Sequence, residues 1–117
     1  DEQTMARKNV LTTSPPYAVE QALKRLGTNL RTARLRRNLT IDEIAEKIGT
    51  GRHSIIAAEK GKPSTSAAVY TALLWAYDLL RPMEFLADPS TDEEGLALSM
   101  HRERARAEKP EDLDSDF

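Results

Sequence analysis

The sequence predicts an all-α protein, on three observations. Aromatic residues make up only 5% of the 117 positions, and five glycines and six prolines leave long stretches unbroken. Those stretches are rich in Ala, Leu, Arg and Glu, most of which are strong helix formers. Leu23, Leu26, Leu30 and Ala33 recur at the three-and-four spacing of a single helix face. A chain of this length fits one small domain with tails.

Residues 1–13 lack periodicity and are expected to form a flexible N-terminal arm. Met5 is the expected native start, with Asp1–Thr4 foreign to the native chain. Ser14 reads as an N-cap, with Pro15 and Pro16 in the first turn of a helix running to about Arg37. Gly27 is a weak point where this helix could bend or split, and Asn38 suits the left-handed residue that closes it. Thr40-Ile41-Asp42-Glu43 has the capping-box pattern at the start of a second helix. Ile44, Ala45 and Ile48 form its apolar stripe, and Gly49 ends it.

Residues 49–61, GTGRHSIIAAEKG, leave room between glycines for a short third helix. With Ile55 and Ala58 facing the core, Arg52, His53, Ile56 and Ala57 face outward. After the connector Lys62-Pro63-Ser64, the segment 66–80, SAAVYTALLWAYDLL, is apolar on nearly every side. Val69, Ala72, Leu73, Ala76 and Leu80 make one stripe; Tyr70, Leu74 and Tyr77 make another, with Trp75 between. Such a helix must be covered on more than one side. A second copy of the chain is the expected cover, making Tyr70, Leu74, Trp75 and Tyr77 a dimer interface. The following segment of the same chain is the alternative.

Pro82 opens a short helical turn that Asp88-Pro89 breaks, so the domain is expected to span 14–87. Thr91 can cap a further segment whose Asp92, Glu93 and Glu94 suit the positive end of a helix dipole. Gly95 and the alternate spacing of Leu96, Leu98 and Met100 leave helix and strand both open at 95–100. Residues 88–108 are therefore a helical or extended C-terminal extension, and 109–117 a disordered acidic tail.

The net charge of −2 averages two opposed regions. Residues 19–63 hold ten Lys/Arg against five Asp/Glu, whereas residues 78–117 hold five against twelve. This asymmetry suits a polyanion partner for the first region, though a solvated basic face would read the same way. The absence of cysteine excludes disulfides and thiol chemistry and permits a reducing compartment. No apolar run is long enough to span a bilayer, and no signal-peptide pattern opens the chain, so a cytoplasmic, nucleoid-associated protein is expected. His53 and His101 lie apart with no metal-ligand cluster, and no phosphate-binding glycine motif is present; neither catalysis, a cofactor nor a metal is expected.

Ala45, Gly49 and Ile55 carry the decisive spacing. A small residue allows a close helix approach, a glycine four residues later makes a left-handed turn, and an apolar residue six further on faces inward. That is the pattern of a helix-turn-helix, whose second helix enters the DNA major groove. The gap-free run LRTARLRRNLTIDEIAEKIGTGRHSIIAAEKGK resembles the Xre/Cro/lambda-repressor family. The phrases PSTSAAVYTALLWAYDLL and LADPSTDEEGLALSMHRERAR resemble its HipB-type branch, the antitoxin-repressors encoded beside HipA-like kinase toxins.

The resemblance implies a dimeric five-helix lambda-repressor-like domain that binds a palindromic double-stranded operator, together with a HipA-like Ser/Thr kinase toxin as partner. A stand-alone phage-type or metabolic repressor is the alternative. It implies a partly buried ion pair between Arg34 and Glu59, a phosphate beside Thr40, base reading by Arg52, His53 and Ala57, and a phosphate contact by Lys62. Chemistry agrees: Arg52 can fork onto guanine O6 and N7, a contact of about 1–3 kcal/mol of discrimination, and Ile56 and Ala57 suit a thymine methyl. Arg31, Arg36, Arg37 and Lys60 would attract phosphates, and Thr50 and Ser54 complete the expected contact set. Three positions depart from the family pattern. Ile41 replaces the Gln that supports a phosphate contact and orients the reading residue; Gly51 replaces a capping Ser or Thr, leaving Thr50 to cap; Ala58 is smaller than the usual branched residue.

Overall fold

The computed structural model describes residues 10–108, all of whose regular structure is helical. The chain divides after Leu80 into two compact units. The first holds α1 (Tyr17–Arg36), α2 (Ile41–Ile48), α3 (Arg52–Glu59) and α4 (Ala67–Ala76). The second holds 3-10 turns at Arg81–Phe85 and Pro89–Thr91, followed by α5 (Glu93–Glu108). Residues 1–9 of the expected arm and the expected tail at 109–117 lie outside the described residues.

Residues 10–13, expected in an aperiodic arm, form a helical turn in which the Ser14 amide donates to Val10 at 2.9 Å. Ser14 does not cap α1. Pro16 takes that place with φ −52° and ψ 144° and supplies no side-chain bond. A proline disfavours helical backbone in the residue before it, so Pro16 bars a start at Pro15.

Gly27 does not split α1, which runs unbroken for 20 residues. It is buried, and a Cβ there would stand 2.6 Å from the carbonyl oxygens of Ala58 and Glu59. The glycine lets α1 pass against the C-terminal end of α3.

The turns follow local chemistry. Asn38 closes α1 at φ 55°. At the start of α2 the Thr40 hydroxyl accepts from the Glu43 amide, and the Glu43 carboxylate accepts from the Thr40 amide, each at 3.0 Å. Gly49 takes φ 80°, a conformation costly for a side chain with a Cβ. The N-cap of α3 is Gly51, with no side-chain bond, so Thr50 does not cap this helix.

Leu30 and Ala33 of α1, Ile44 and Ala45 of α2, Ile55 and Ala58 of α3, and Tyr70, Leu73 and Tyr77 at α4 form one buried core. Two of the four residues expected at a dimer interface lie in this core. Tyr70 is 6% and Tyr77 2% exposed, both inside their own chain's core, and Leu74 is half-buried against it. The buried stripe of α4 is Tyr70, Leu73 and Tyr77, at i, i+3 and i+7. The Tyr70 hydroxyl donates to the Lys62 carbonyl at 3.0 Å, which gives a polar end to a buried ring. Only Trp75, 59% exposed, stands open among the four residues expected to bind a second copy.

In the second unit, the Asp88 carboxylate accepts from the Ser90 amide at 2.9 Å and is held below its usual pKa by that bond. Thr91 does not cap α5: its hydroxyl donates to the Asp88 carbonyl, and the Asp92 carboxylate accepts from the Gly95 amide at 3.0 Å. Residues 95–100 are helical. No described residue of this unit is buried, and Phe85, Leu86, Leu96, Leu98 and Met100 are exposed.

Candidate nucleic-acid interface

An eight-residue helix is too short to persist alone in water, so α3 depends on its anchors. Ile55 and Ala58 are fully buried, and burying the Ile55 side chain stabilises by about 1.5–3 kcal/mol. The third anchor is Glu59. Its carboxylate accepts from Arg34 Nε at 2.7 Å and from Arg34 Nη2 at 3.0 Å, while Arg34 Nη1 donates to the Leu39 carbonyl at 2.9 Å. Both side chains are under 10% exposed, at 9% and 7%. The Glu59 bond holds the guanidinium pKa above its usual value. The fork joins α1, the α1–α2 turn and the end of α3.

With its inner side fixed in three places, α3 presents a defined outer edge. Arg52 and His53 are exposed at its first turn; Ser54, Ile56 and Ala57 are half-buried rather than fully outward. His53, Ser54 and Ala57 line one side of a shallow depression bounded by Ser64, Thr65, Ser66 and Val69. Arg52 Nε lies 3.7 Å from Asp42 Oδ1, across from the first turn of α2.

The other expected contact residues fall into different places. Thr40 spends both its amide and its hydroxyl on Glu43, and that bonding holds the Glu43 carboxyl below its usual pKa. The N-terminus of α2 thus already has an anion beside it. Thr50 is half-buried in the turn, its amide donating to the Ala45 carbonyl at 2.9 Å. Arg37 is engaged structurally. Its two Nη groups donate to the carbonyls of Ala33 and Tyr77, each at 2.9 Å, and its guanidinium sits 5.3 Å from the Tyr77 ring centroid. One cation thereby serves the negative ends of α1 and α4.

Arg31 and Arg36 are both exposed, but five residues of helix separate them by about 140°. Arg31 shares the flank of Gly27, where α1 meets the end of α3, and Arg36 lies on the far side with Asn29, Thr32 and Leu79. Lys60 and Lys62 follow α3 and line a hollow of about 200 Å³ with Lys24. Lys24, which pairs with Glu20 at 2.9 Å, was absent from the expected contact set. Its signal was available: it stands seven residues before Arg31, on the same stripe of α1. Asp42 was the other omission, because a carboxylate is not an obvious neighbour for a DNA-reading arginine.

The profile of the helix-turn-helix domain family matches residues 25–84, just over half of the chain. The chain belongs to that family. No curated protein and no solved structure matches it. The match covers all of α2, α3 and α4 and supports the Xre-like part of the resemblance. The helix-turn-helix family places the protein among DNA-binding regulators, whose domains are typically non-enzymatic. Among the described residues, no helix is long and apolar enough to cross a membrane, and no group of His, Asp or Glu is placed to hold a metal ion.

Proposed function

We propose that this helix-turn-helix protein is a dimeric, sequence-specific transcriptional repressor that reads a palindromic operator with α3. One observation carries the reading. The core side of α3 is fixed by Ile55, Ala58 and the Arg34–Glu59 fork, while Arg52 and His53 project from its first turn without burial. A helix held on one side and polar at its exposed N-terminal edge suits the major groove. Arg52 reads a guanine, His53 contacts a base edge or phosphate, and Ser54, Ile56 and Ala57 pack against neighbouring bases. Arg31, Lys60 and Lys62, joined by Lys24, attract the phosphates. Two copies pair around Trp75 and place their reading helices roughly 34 Å apart, one turn of DNA.

The finer reading is an antitoxin that represses its own operon and restrains a HipA-like kinase toxin in the cytoplasm. It is supported by the HipB-type resemblance and by the second unit, whose exposed Phe85, Leu86, Leu96, Leu98 and Met100 suit a protein partner. A stand-alone repressor of the same family is the alternative, and the neighbouring reading frames separate the two.

Selection from a pool of duplexes with a randomised central segment tests the central reading. The full chain is expected to enrich a two-fold symmetric sequence with guanine at matched positions, and Arg52→Ala is expected to lose that guanine while still melting cooperatively. A pool without enrichment would overturn sequence-specific binding; retained guanine in the variant would remove Arg52 from the contact set.

A further inference from the structure

We propose that Asp42 is a positioning residue for Arg52 and thereby determines specificity at one base of each half-site. The inference rests on the proposed reading of DNA by α3. Asp42 lies in the first turn of α2, and Arg52 is the first residue of α3. The Asp42 Oδ1–Arg52 Nε separation is 3.7 Å, and the side chains are 74% and 57% exposed, respectively. A pair this open contributes little to folding. Its consequence lies in the orientation of the arginine.

Neither the residue before Arg52 nor the first residue of α2 supplies a polar tether. Gly51, before Arg52, has no side chain and has open space where a Cβ would stand. Ile41, at the start of α2, is half-buried against the core and offers no hydrogen bond. Among the described residues, Asp42 is the acidic side chain in ion-pair range of Arg52. A carboxylate on the Nε edge of a guanidinium, as Glu59 is on Arg34, leaves the end edge free, with one N–H of each Nη pointing along the side chain. Those groups form the planar fork that matches guanine O6 and N7.

The carboxylate also acts through its charge. A long arginine at the edge of a groove has two competing partners, a base edge and the nearer phosphates. Negative charge beside Nε disfavours the approach of a phosphate to the same guanidinium. Asp42 thus weakens sequence-independent attraction while keeping Arg52 available for a base, and the ratio of specific to non-specific binding rises.

The test uses the full chain, the random duplex pool, and the variants Asp42→Asn, Asp42→Glu and Arg52→Ala. Asp42→Asn is expected to enrich the same operator with guanine preference at the Arg52 position reduced about tenfold, on the scale that a bidentate contact supplies. Other positions keep their preference, which a folding defect would not produce. On an unselected duplex the variant binds more tightly, and its log affinity against log salt steepens by about 0.9 per protomer as Arg52 turns to a phosphate. Asp42→Glu restores part of the guanine preference. An Asp42→Asn pool identical to the parent's, with an unchanged salt slope, overturns the inference and leaves the repressor reading intact. A parent chain that enriches no sequence overturns both.

Discussion

Tyr70 and Tyr77 occupy one stripe of the core yet differ at the hydroxyl. Tyr70 donates to the Lys62 carbonyl, whereas the Tyr77 hydroxyl is buried with no hydrogen-bond partner among the described residues. Removing a satisfied buried hydroxyl costs about 1 kcal/mol, and removing an unsatisfied one relieves a desolvation penalty. Tyr70→Phe is therefore expected to lower the urea midpoint and Tyr77→Phe to hold or raise it. Burial pushes both phenols above the usual tyrosine pKa. Raised folded-state values mean that stability is intact below the unfolded pKa of about 10 and is lost as pH rises through the folded values. In a Tyr17→Phe background, which removes the exposed third tyrosine, alkaline titration should show tyrosinate absorbance rising together with loss of helical circular dichroism. Tyrosinate formed well before any loss of helix would contradict the burial of both rings.

At the scale of elements, the join between α1 and α3 carries the domain. Helix propensity alone says that Gly27→Ala stabilises an interior helix position by about 1 kcal/mol. The added methyl would meet two backbone carbonyls at 2.6 Å, and neither is a side chain that can rotate away. The expected result is destabilisation by about 2 kcal/mol or more, read as a fall in the urea midpoint. Glu59→Ala removes the partner of a buried guanidinium and is expected to cost about 3–5 kcal/mol. A midpoint close to the parent's for either variant would refute the tight α1–α3 contact. The same contrast explains what the sequence showed and what it hid. The capping box at Thr40–Glu43 and the turns at Asn38 and Gly49 were legible because their chemistry closes within a few residues. Gly27 was not, since its need for a bare Cα arises from the end of α3, far along the chain. Nor was the buried stripe of α4: where nearly every face is apolar, periodicity cannot choose the inner one.

At the scale of the whole molecule, the charge map of the sequence and that of the folded first unit differ in a way DNA binding can measure. The sequence shows ten Lys/Arg between residues 19 and 63 but not which of them is engaged elsewhere. Folding commits Arg34 to Glu59 and Arg37 to two carbonyls, and turns Arg36 to the flank of α1 opposite Gly27. Lys24, whose ammonium also pairs with Glu20 at 2.9 Å, lines one hollow with Lys60 and Lys62, and Arg31 follows Lys24 on the same stripe of α1. If each neutralises one phosphate, the proposed dimer makes about eight such contacts, and log affinity should fall with log salt at a slope near −7. Lys62→Ala is expected to make that slope shallower by about 2 per dimer, with little change in sequence preference or melting. Arg37→Ala should do the reverse, lowering the melting temperature while leaving the slope alone, because its guanidinium holds the ends of α1 and α4 together. Fluorescence anisotropy on one duplex across a salt series, paired with thermal melts, separates the two roles. Equal slope changes for both variants would mean that Arg37 leaves its carbonyls to meet DNA, and that the basic surface is broader than the folded first unit displays.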